Sequence, residues 1–262
     1  MNRTTDKIKL SFVIPAYNEE KMLPACLESV FEEIKKNDWA SFEVIVVNNA
    51  STDGTRKTAE RYAGTIVVNE PKKGLARARQ AGFLKSTGDL IANVDADTIL
   101  PDGWIKKVMK EFSKNSELIC LSGPYFYYDV PALTRFMTRV FYGFGFMAYI
   151  INKHILKISS MVQGGNFIVK RSALEKIGGF DTSIEFYGED TDVARRLNGF
   201  GDVKFTFSLP IYASGRRLYG EGVFRAGMRY AANFFWVSYF KKPLTKKYSD
   251  FRQKTNGPGS DF

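Results

Sequence analysis

Two aspartates stand at the end of an apolar run in a spacing that suits metal and phosphate chemistry. Asp95 and Asp97 follow residues 90–94, and side chains two positions apart in an extended chain lie on one face. Because two carboxylates at short distance repel, a cation between them relieves the repulsion. Hard oxygen ligands suit Mg²⁺ or Mn²⁺, and such an ion usually binds substrate phosphates as well. The pair predicts a metal site, although an isolated Asp-x-Asp is more often a solvated loop.

Short apolar runs must position these carboxylates. The runs are rich in β-branched residues and do not alternate with polar ones, which is typical of strands buried on both faces. They lie at 10–14, 43–47, 65–68, 90–94 and 118–121. Apolar residues at helical spacing between them predict helices at 23–34, 55–62, 75–86 and 104–112. Strands that alternate with helices predict an α/β fold with a mostly parallel sheet.

Three polar clusters follow predicted strands, at 15–20, 48–55 and 95–97. The carboxyl ends of parallel strands meet at one edge of a sheet, and such sheets bind ligands there. The second cluster consists of turn-forming and helix-capping residues, so turns alone account for it. Turns do not account for two aspartates that close an apolar strand. We therefore predict a ligand site at this edge.

The composition excludes several classes of protein. The chain has 262 residues, of which 44% are apolar and 25% charged, so we exclude a disordered chain, a collagen and a coiled coil. Cys26 and Cys120 are too few for a disulfide framework and fit a reducing compartment. A single histidine, His154, excludes a His-rich metal site and disfavours a Ser-His-Asp hydrolase. The polar N-terminus lacks the apolar core of a secretory signal, so we expect a cytoplasmic protein.

Basic residues dominate two stretches of the chain. The net charge is +10, from 38 basic and 28 acidic residues. Residues 133–172 hold six basic residues and no acid, and residues 199–256 hold eleven against three. Such a surface binds phosphorylated ligands, anionic lipid or nucleic acid, and ordinary solubility is the alternative. The basic charge is the only feature that supports nucleic-acid binding, and no motif adds to it. We therefore predict no nucleic-acid partner.

Two aromatic stretches raise the question of membrane contact. Residues 140–151 are uncharged but shorter than the roughly twenty residues that span a bilayer, so we predict a buried helix, with a lipid-facing one as the alternative. Residues 223–240 combine aromatic with basic residues and suggest an interfacial helix on the inner face of the membrane. Packing against the rest of the chain, or self-association, is the alternative. We predict a disordered tail at 256–262.

Eight motifs occur in a fixed order along the chain. They are Pro15-Ala16-Tyr17-Asn18-Glu19, Asn49-Ala50-Ser51-Thr52-Asp53-Gly54-Thr55, Gly74 to Gly82, Gly88-Asp89, Asp95-Ala96-Asp97, Gly164-Gly165-Asn166, Gly178-Gly179-Phe180-Asp181 and Gly188-Glu189-Asp190-Thr191-Asp192. The set resembles the family 2 glycosyltransferases of the GT-A fold, over about residues 10–199. The resemblance implies an α/β, Rossmann-like, mostly parallel sheet flanked by helices, followed by a C-terminal helical and aromatic extension. It places a catalytic domain at 1–210, with a nucleotide half at 1–125 and an acceptor half at 126–210, and the extension at 211–255.

The resemblance also implies an activity. Family members transfer a sugar from a nucleoside diphosphate donor to an acceptor hydroxyl with inversion, so we expect a UDP- or GDP-sugar donor and Mn²⁺ or Mg²⁺. A glycan or lipid-linked acceptor and peripheral membrane contact would fit polysaccharide, glycolipid or cell-envelope glycan synthesis. The alternatives are a catalytically silent nucleotide-sugar-binding module and, less favoured, a nucleotidyltransferase, because no Gly-rich, arginine-bearing loop follows the first strand. The oligomeric state stays open.

Site residues follow by position in the resembling motifs. Asp190 matches the catalytic base, Asp97 the metal ligand, and Asp95 a ribose or metal contact. The implied nucleotide site consists of Pro15, Ala16, Tyr17, Glu19, Asn49, Asp53, Arg79, Asp95 and Ala96. The implied donor and acceptor sugar contacts are Gly164, Gly165, Asn166 and Glu189. Arg216 and Arg217 align loosely with a diphosphate contact, and Asn48-Asn49 departs from the family's usual Asp-Asp.

Overall fold

The computed structural model describes residues 8–37, 41–156 and 160–245. The predicted tail at 256–262 and the end of the predicted extension lie outside the described residues. The strands are β1 (Leu10–Ala16), β2 (Phe42–Asn49), β3 (Thr65–Glu70), β4 (Leu90–Val94), β5 (Thr98–Ile99), β6 (Leu118–Ser122), β7 (Tyr125–Tyr127), β8 (Asn166–Lys170), β9 (Asp202–Phe205) and β10 (Ile211–Ala213). The helices are α1 (Leu23–Lys36), α2 (Thr55–Glu60), α3 (Leu75–Lys85), α4 (Trp104–Lys114), α5 (Ala132–Ile150), α6 (Arg171–Lys176), α7 (Glu189–Leu197), α8 (Arg216–Glu221) and α9 (Val223–Phe240), and a π-helical turn (Ile151–Leu156) continues α5.

Seven strands form the central sheet, in the order β3-β2-β1-β4-β8-β6-β9. The strands β3, β2, β1 and β4 run parallel, and β6 and β9 are parallel to each other. Only β8 among the sheet's strands runs against its neighbours, β4 and β6. The predicted strands and the mostly parallel sheet are therefore confirmed.

Both faces of this sheet are covered, which explains the continuous apolar runs. In β1, Phe12 and Ile14 pack into the core beneath α1 and α4. Val13, which points to the other face, packs with side chains of α3 and α7. Because successive side chains of a strand alternate between faces, a strand covered on both sides is apolar at every position.

The start of the predicted C-terminal extension pairs with strands of the predicted catalytic domain. β10 lies between β5 and β7 in a second, three-stranded sheet. The backbone N–H of Ser214, directly after β10, donates to the carbonyl oxygen of Asp97 at 3.1 Å. The predicted boundary between 210 and 211 therefore falls inside a structured region that reaches the site.

The prediction of a buried helix at 140–151 is wrong. These residues continue α5, where Phe144 and Met147 expose 66% and 63% of their surface. Among the side chains of α5, only Thr138 and Tyr149 are buried. An apolar stretch in a sequence does not reveal whether other parts of the protein cover it. In α5 they cover only part of the helix surface. No helix within the described residues is both long and apolar enough to cross a bilayer.

One side of α9 packs on the predicted catalytic domain, and the other side is exposed. Val237 is fully buried and lies against Gly188, where a Cβ atom would meet its side chain at 2.6 Å. Phe235, two residues earlier and on the opposite side of the helix, exposes 46% of its surface. The two interpretations of residues 223–240, packing and an exposed amphipathic face, therefore hold for different sides of one helix.

Candidate active site

The register of β1 and β2 places the ends of these two strands, and with them the first two polar clusters, side by side. Ala16 at the end of β1 lies opposite Asn48 of β2. Asn18 adopts a left-handed backbone conformation, with a φ of 52°, and its side-chain oxygen accepts from the backbone N–H of Thr52 at 2.8 Å. Asn tolerates this conformation better than most residues. Asn18 thus joins the two loops, and the N-cap position of the next helix falls on Met22.

A cavity of about 290 Å³ opens between these loops and α3, and we call it the nucleotide cavity. Its walls are Pro15, Ala16, Tyr17, Asn49, Lys73, Gly74, Leu75, Ala78, Glu185 and Phe186. Four predicted nucleotide contacts, Pro15, Ala16, Tyr17 and Asn49, therefore line one cavity. Lys73 holds its ammonium group 3.7 Å from the centre of the Tyr17 ring.

The hydrogen bonds of Asn49 explain why an asparagine, and not the family's usual aspartate, stands at this position. Its buried side-chain amide donates to the carbonyl oxygens of Glu70 and Lys72, at 3.2 Å and 2.8 Å. Its amide oxygen accepts from the backbone N–H of Gly74 at 2.8 Å. A carboxylate accepts hydrogen bonds but donates none, so an aspartate could not hold both carbonyl groups. Asn49 therefore fixes the segment that leads into α3 and forms the cavity wall.

Two predicted nucleotide contacts, Asp53 and Glu19, have structural partners outside the nucleotide cavity. The carboxylate of Asp53 accepts from the backbone N–H groups of Thr55 at 3.0 Å and Glu20 at 3.2 Å, so it ties the second loop to the first. Glu19 is buried and accepts from Arg216 at 2.5 Å. Both support the loops around the cavity.

The chain turns at Asp95-Ala96-Asp97 and does not stay extended. β4 ends at Val94, and the backbone N–H of Thr98 donates to the carbonyl oxygen of Asp95 at 3.2 Å. The expectation that both carboxylates lie on one face of an extended strand is therefore wrong. Asp95 pairs with Arg79 and accepts from the Tyr125 hydroxyl, whereas Asp97 pairs with Arg216.

Arg79 joins the aspartate turn to the start of α7. Its guanidinium is 1% exposed and lies 3.1 Å from Asp95 Oδ1 and 2.5 Å from Glu189 Oε1. Burial raises the pKa of the Glu189 carboxyl and the charge of Asp190 raises it further, while Arg79 opposes both. The two ion pairs therefore hold the carboxylates of Asp95 and Glu189 against one guanidinium, that of Arg79.

The metal that the resemblance implies fits Asp97 better than Asp95. Both oxygens of Asp95 already accept, Oδ1 from Arg79 and Oδ2 from Tyr125 at 2.7 Å. Asp97 Oδ2 lies 2.9 Å from the Arg216 guanidinium, so a cation already contacts this carboxylate. Within the described ranges, no group of three or more His, Cys, Asp or Glu side chains gathers to hold a metal ion. One carboxylate with substrate phosphates is a common set of Mg²⁺ ligands, and Asp97 suits it.

Asp190 borders a second cavity of about 520 Å³, which we call the large cavity. Asp95, Arg79 and Glu189 line the same cavity. The Asp190 carboxylate accepts from the backbone N–H groups of Thr191 at 2.7 Å and Gly164 at 3.1 Å. These bonds and the Arg79 charge lower its pKa, but burial outweighs them, so its pKa stands above the ordinary aspartate value. A carboxylate with a raised pKa is a stronger proton acceptor.

The glycine pair and Asn166 have different roles. Gly164 and Gly165 line the large cavity. Asn166 is fully buried, and its side chain donates to the carbonyl oxygen of Leu209 at 2.8 Å and accepts from the Trp104 indole at 3.3 Å. The structure therefore places Asn166 in the core beneath the site, and the sugar contact implied for it is wrong.

Replacing Gly165 with alanine is expected to destabilise the protein by about 1–3 kcal/mol, the usual cost of overpacking. The new Cβ atom would lie 2.1 Å from the Tyr125 hydroxyl and 2.2 Å from Asp95 Oδ2, so both groups must move. Gly143→Ala in α5 is the matched control, because its Cβ atom meets nothing within 4 Å. Helix propensity predicts that this control gains up to about 1 kcal/mol. The free energies of unfolding of the two variants in urea test this prediction, and equal stability of the two would contradict it.

Two aromatic residues of the large cavity, Tyr125 and Phe186, escaped the sequence analysis. Tyr125 reaches Asp95, and Phe186 and Leu75 line both cavities, so the two spaces adjoin. The guanidinium of Arg217 lies 4.3 Å from the centre of the Phe186 ring and donates to the Tyr230 hydroxyl at 3.2 Å. Aromatic residues are common in cores, so only their position in space reveals their place in the site.

The fold and the site together define a GT-A protein. A mannosyltransferase from Pyrobaculum calidifontis, solved with GDP-Man and Mn²⁺, superposes with a TM-score of 0.67 at 20% identity, over 89% of this chain and 64% of that one. The order of motifs and the mostly parallel sheet agree with this fold, which confirms the predicted fold class.

The chain belongs to glycosyl transferase family 2, whose family model matches residues 11–178. It is 34% identical to the dolichyl-phosphate beta-glucosyltransferase ALG5D of Trichomonas vaginalis over 174 residues, which are 60% of this chain and 50% of that protein. The probable glycosyltransferase YdaM of Bacillus subtilis is 29% identical over 203 residues, 74% of this chain and 47% of that protein. The chain thus spans about half the length of these curated relatives.

Proposed function

We propose that this protein transfers a sugar from a nucleoside diphosphate donor to an acceptor hydroxyl, with inversion at the anomeric carbon. One observation supports this most: Asp95 and Asp190 border the same cavity, which adjoins the nucleotide cavity through Leu75 and Phe186. A donor with its nucleotide in the smaller cavity would place its sugar between the two carboxylates. The large cavity, at about 520 Å³, is in the usual range for small-molecule sites, about 300–1,000 Å³.

The donor would be a UDP- or GDP-sugar. Tyr17 and Lys73 offer a ring face and a positive charge to a base or phosphate, and Asn49 holds the wall behind them. Arg216 lies beside Asp97, so it is placed to contact a diphosphate that reaches this carboxylate. Mn²⁺ or Mg²⁺ held by Asp97 and the diphosphate would neutralise charge on the leaving group.

Asp190 is the proposed base. As the acceptor oxygen attacks the anomeric carbon, its proton passes to the Asp190 carboxylate, and the bond from that carbon to the diphosphate oxygen breaks. The nucleoside diphosphate leaves with the electron pair of this bond. The backbone N–H groups of Thr191 and Gly164 hold the carboxylate in place. Burial keeps the pKa of Asp190 above its ordinary value, although the charge of Arg79 lowers it.

We expect turnover to fall in acid with an apparent pKa above the ordinary aspartate value of 3.8. Burial favours the neutral form of Asp190, and a protonated carboxyl accepts no proton, so the active fraction falls as pH drops through this raised pKa. The pH profile of kcat tests this. An acid limb at or below the ordinary value would contradict it.

Calorimetric titration with UDP- and GDP-sugars, with and without Mn²⁺, tests the proposed function together with a transfer assay. We expect one donor to bind and Lys73→Ala to weaken that binding. Lys57→Ala, an exposed lysine of α2 outside the nucleotide cavity, is the matched control and should bind normally. Binding without transfer or donor hydrolysis would favour a silent nucleotide-sugar-binding module. Absence of binding for every donor would contradict the proposal. The acceptor, glycan or lipid-linked, belongs to the same proposal, and peripheral membrane contact is a separate one.

A further inference from the structure

The helices α5 and α9 together form an exposed apolar surface, which we call the α5–α9 surface. On α5, Leu133, Phe136 and Met147 expose 69%, 64% and 63% of their surface. Their spacing of three and eleven residues places them on one face of the helix. On α9, Phe224 and Met228, one helical turn apart on the same face, are exposed by 63% and 52%. Exposed large apolar side chains in this density mark an interaction surface.

The two helices form one continuous surface because they pack on each other. The Phe141 ring of α5 lies against Gly227 of α9, where a Cβ atom would meet the ring at 2.8 Å. The rings of Phe141 and Phe224 are 6.5 Å apart, centre to centre. A side chain at 227 would separate the helices, so this glycine permits their close contact.

Positive charge borders the surface without any negative charge in the same segments. No aspartate or glutamate occurs at 132–156 or 223–245. Arg135 and Arg139, one helical turn apart on α5, are exposed, as are Arg225, Lys241 and Lys242 at the two ends of α9. Basic residues beside an exposed apolar face match the interfacial region of an anionic bilayer. A second copy of the chain fits less well, because a symmetric contact would bring these cations together.

The large cavity opens on this surface. Phe144 and Phe235 line the cavity and expose 66% and 46% of their surface, so they form its mouth between the two helices. Asp190 lies on the wall of the same cavity. A molecule that enters at the mouth therefore passes aromatic walls and reaches the proposed base.

We propose that the α5–α9 surface docks on an anionic lipid bilayer and that the large cavity receives the polar end of a lipid-linked acceptor from it. The acceptor part rests on the proposed function, and the docking part does not. The apolar chain stays in contact with the aromatic mouth, while the acceptor hydroxyl reaches Asp190. This selects the lipid-linked class of acceptor over a soluble glycan.

Flotation with vesicles tests the docking part. We expect the full chain to float with phosphatidylcholine vesicles that contain phosphatidylglycerol, and at least tenfold less with pure phosphatidylcholine or after Arg135→Glu with Arg139→Glu. Phe136→Ser with Met147→Ser should abolish flotation, since it removes apolar contacts from the surface. Leu84→Ser is the matched control, an apolar side chain 71% exposed on α3, and should float normally.

A second readout locates α9 relative to lipid. Trp39 lies outside the described residues, so this measurement starts from the variant Trp39→Phe. Brominated lipids should quench the tryptophan fluorescence of that variant, and adding Trp236→Phe should remove this quenching, because Trp236 is 41% exposed on α9 and Trp104 is fully buried. Unchanged fluorescence would overturn docking through α9. A concentration-dependent dimer without lipid that the α5 substitutions dissociate would overturn the bilayer in favour of a second copy.

Binding of farnesyl phosphate, a probe with an apolar chain and an anionic head, tests the cavity. We expect binding that Ala148→Trp or Ala231→Trp abolishes while flotation is retained, since these residues line the cavity from opposite helices. Equal binding by wild type and both variants would overturn the acceptor site. Donor binding is measured in parallel: if donors bind without flotation, only this inference fails. Flotation without donor binding supports docking and contradicts the proposed function.

Discussion

Replacing Asp190 with asparagine is expected to lower the rate of sugar transfer by about 10²- to 10⁴-fold, the usual contribution of a general base. An amide keeps the size of the side chain and can still accept from the backbone N–H groups of Thr191 and Gly164. It accepts no proton at neutral pH. Donor affinity should therefore stay close to that of the wild type, and single-turnover transfer with calorimetric donor binding measures the two effects separately.

Asp192→Asn is the matched control, because it makes the same chemical change two residues along α7. The Asp192 carboxylate pairs with Arg195 and Arg196, each at 2.7 Å, and lies away from the large cavity. We expect this variant to unfold at a lower temperature and to keep its turnover. If Asp190→Asn retains full transfer, or if both variants lose it equally, Asp190 is not the base.

Replacing Arg79 with methionine is expected to destabilise the protein by about 3–5 kcal/mol, the cost of removing one partner of a buried ion pair. The Arg79 guanidinium is 1% exposed and lies between Asp95 and Glu189. Without it, the Glu189 carboxylate, which is 7% exposed, loses its paired cation and must be protonated on folding. The free energy of unfolding in urea measures this change.

The double variant Arg79→Met with Glu189→Met should recover a large part of the lost stability. Apolar side chains of similar size in place of a buried ion pair are often neutral, because the buried Glu189 charge is then no longer left without its partner. Recovery should be incomplete, since Asp95 still loses Arg79, but this carboxylate is 29% exposed and keeps the Tyr125 hydroxyl. Arg77→Met, two residues earlier on α3 and partly exposed, is the control and should change stability by less than about 0.5 kcal/mol. Additive losses from Arg79→Met and Glu189→Met would show that the pair does not act as a unit.

The strands, their order along the chain and the motif at each strand end were predictable because they depend on local patterns. A run such as residues 44–47 is apolar throughout because both of its faces are covered, and polar residues follow where the strand leaves the sheet. Parallel strands present their carboxyl ends at one edge, so the polar clusters had to meet there. Motif order added the family, which the match over residues 11–178 bears out.

The partner of each charged side chain was decided only by the tertiary structure. Arg79 and Glu189 are 110 residues apart in sequence, and no local pattern shows that one guanidinium joins Asp95 to Glu189. The same holds for the pairing of Asp97 with Arg216, which depends on the turn that ends β4 and on the position of α8. Residue type gives the charge, whereas the direction of a side chain depends on the backbone around it.

Exposure of the aromatic helices was also decided by packing. Hydropathy shows that Phe144 and Phe235 favour an apolar environment, but it does not show whether protein or another phase supplies it. Only the position of α5 beside α9 shows that these rings stand at the mouth of a cavity that leads to Asp190. Local sequence thus determined which elements form and where their polar ends lie. Contacts between distant elements determined which charges meet and which apolar faces remain uncovered, because both depend on the arrangement of the whole chain.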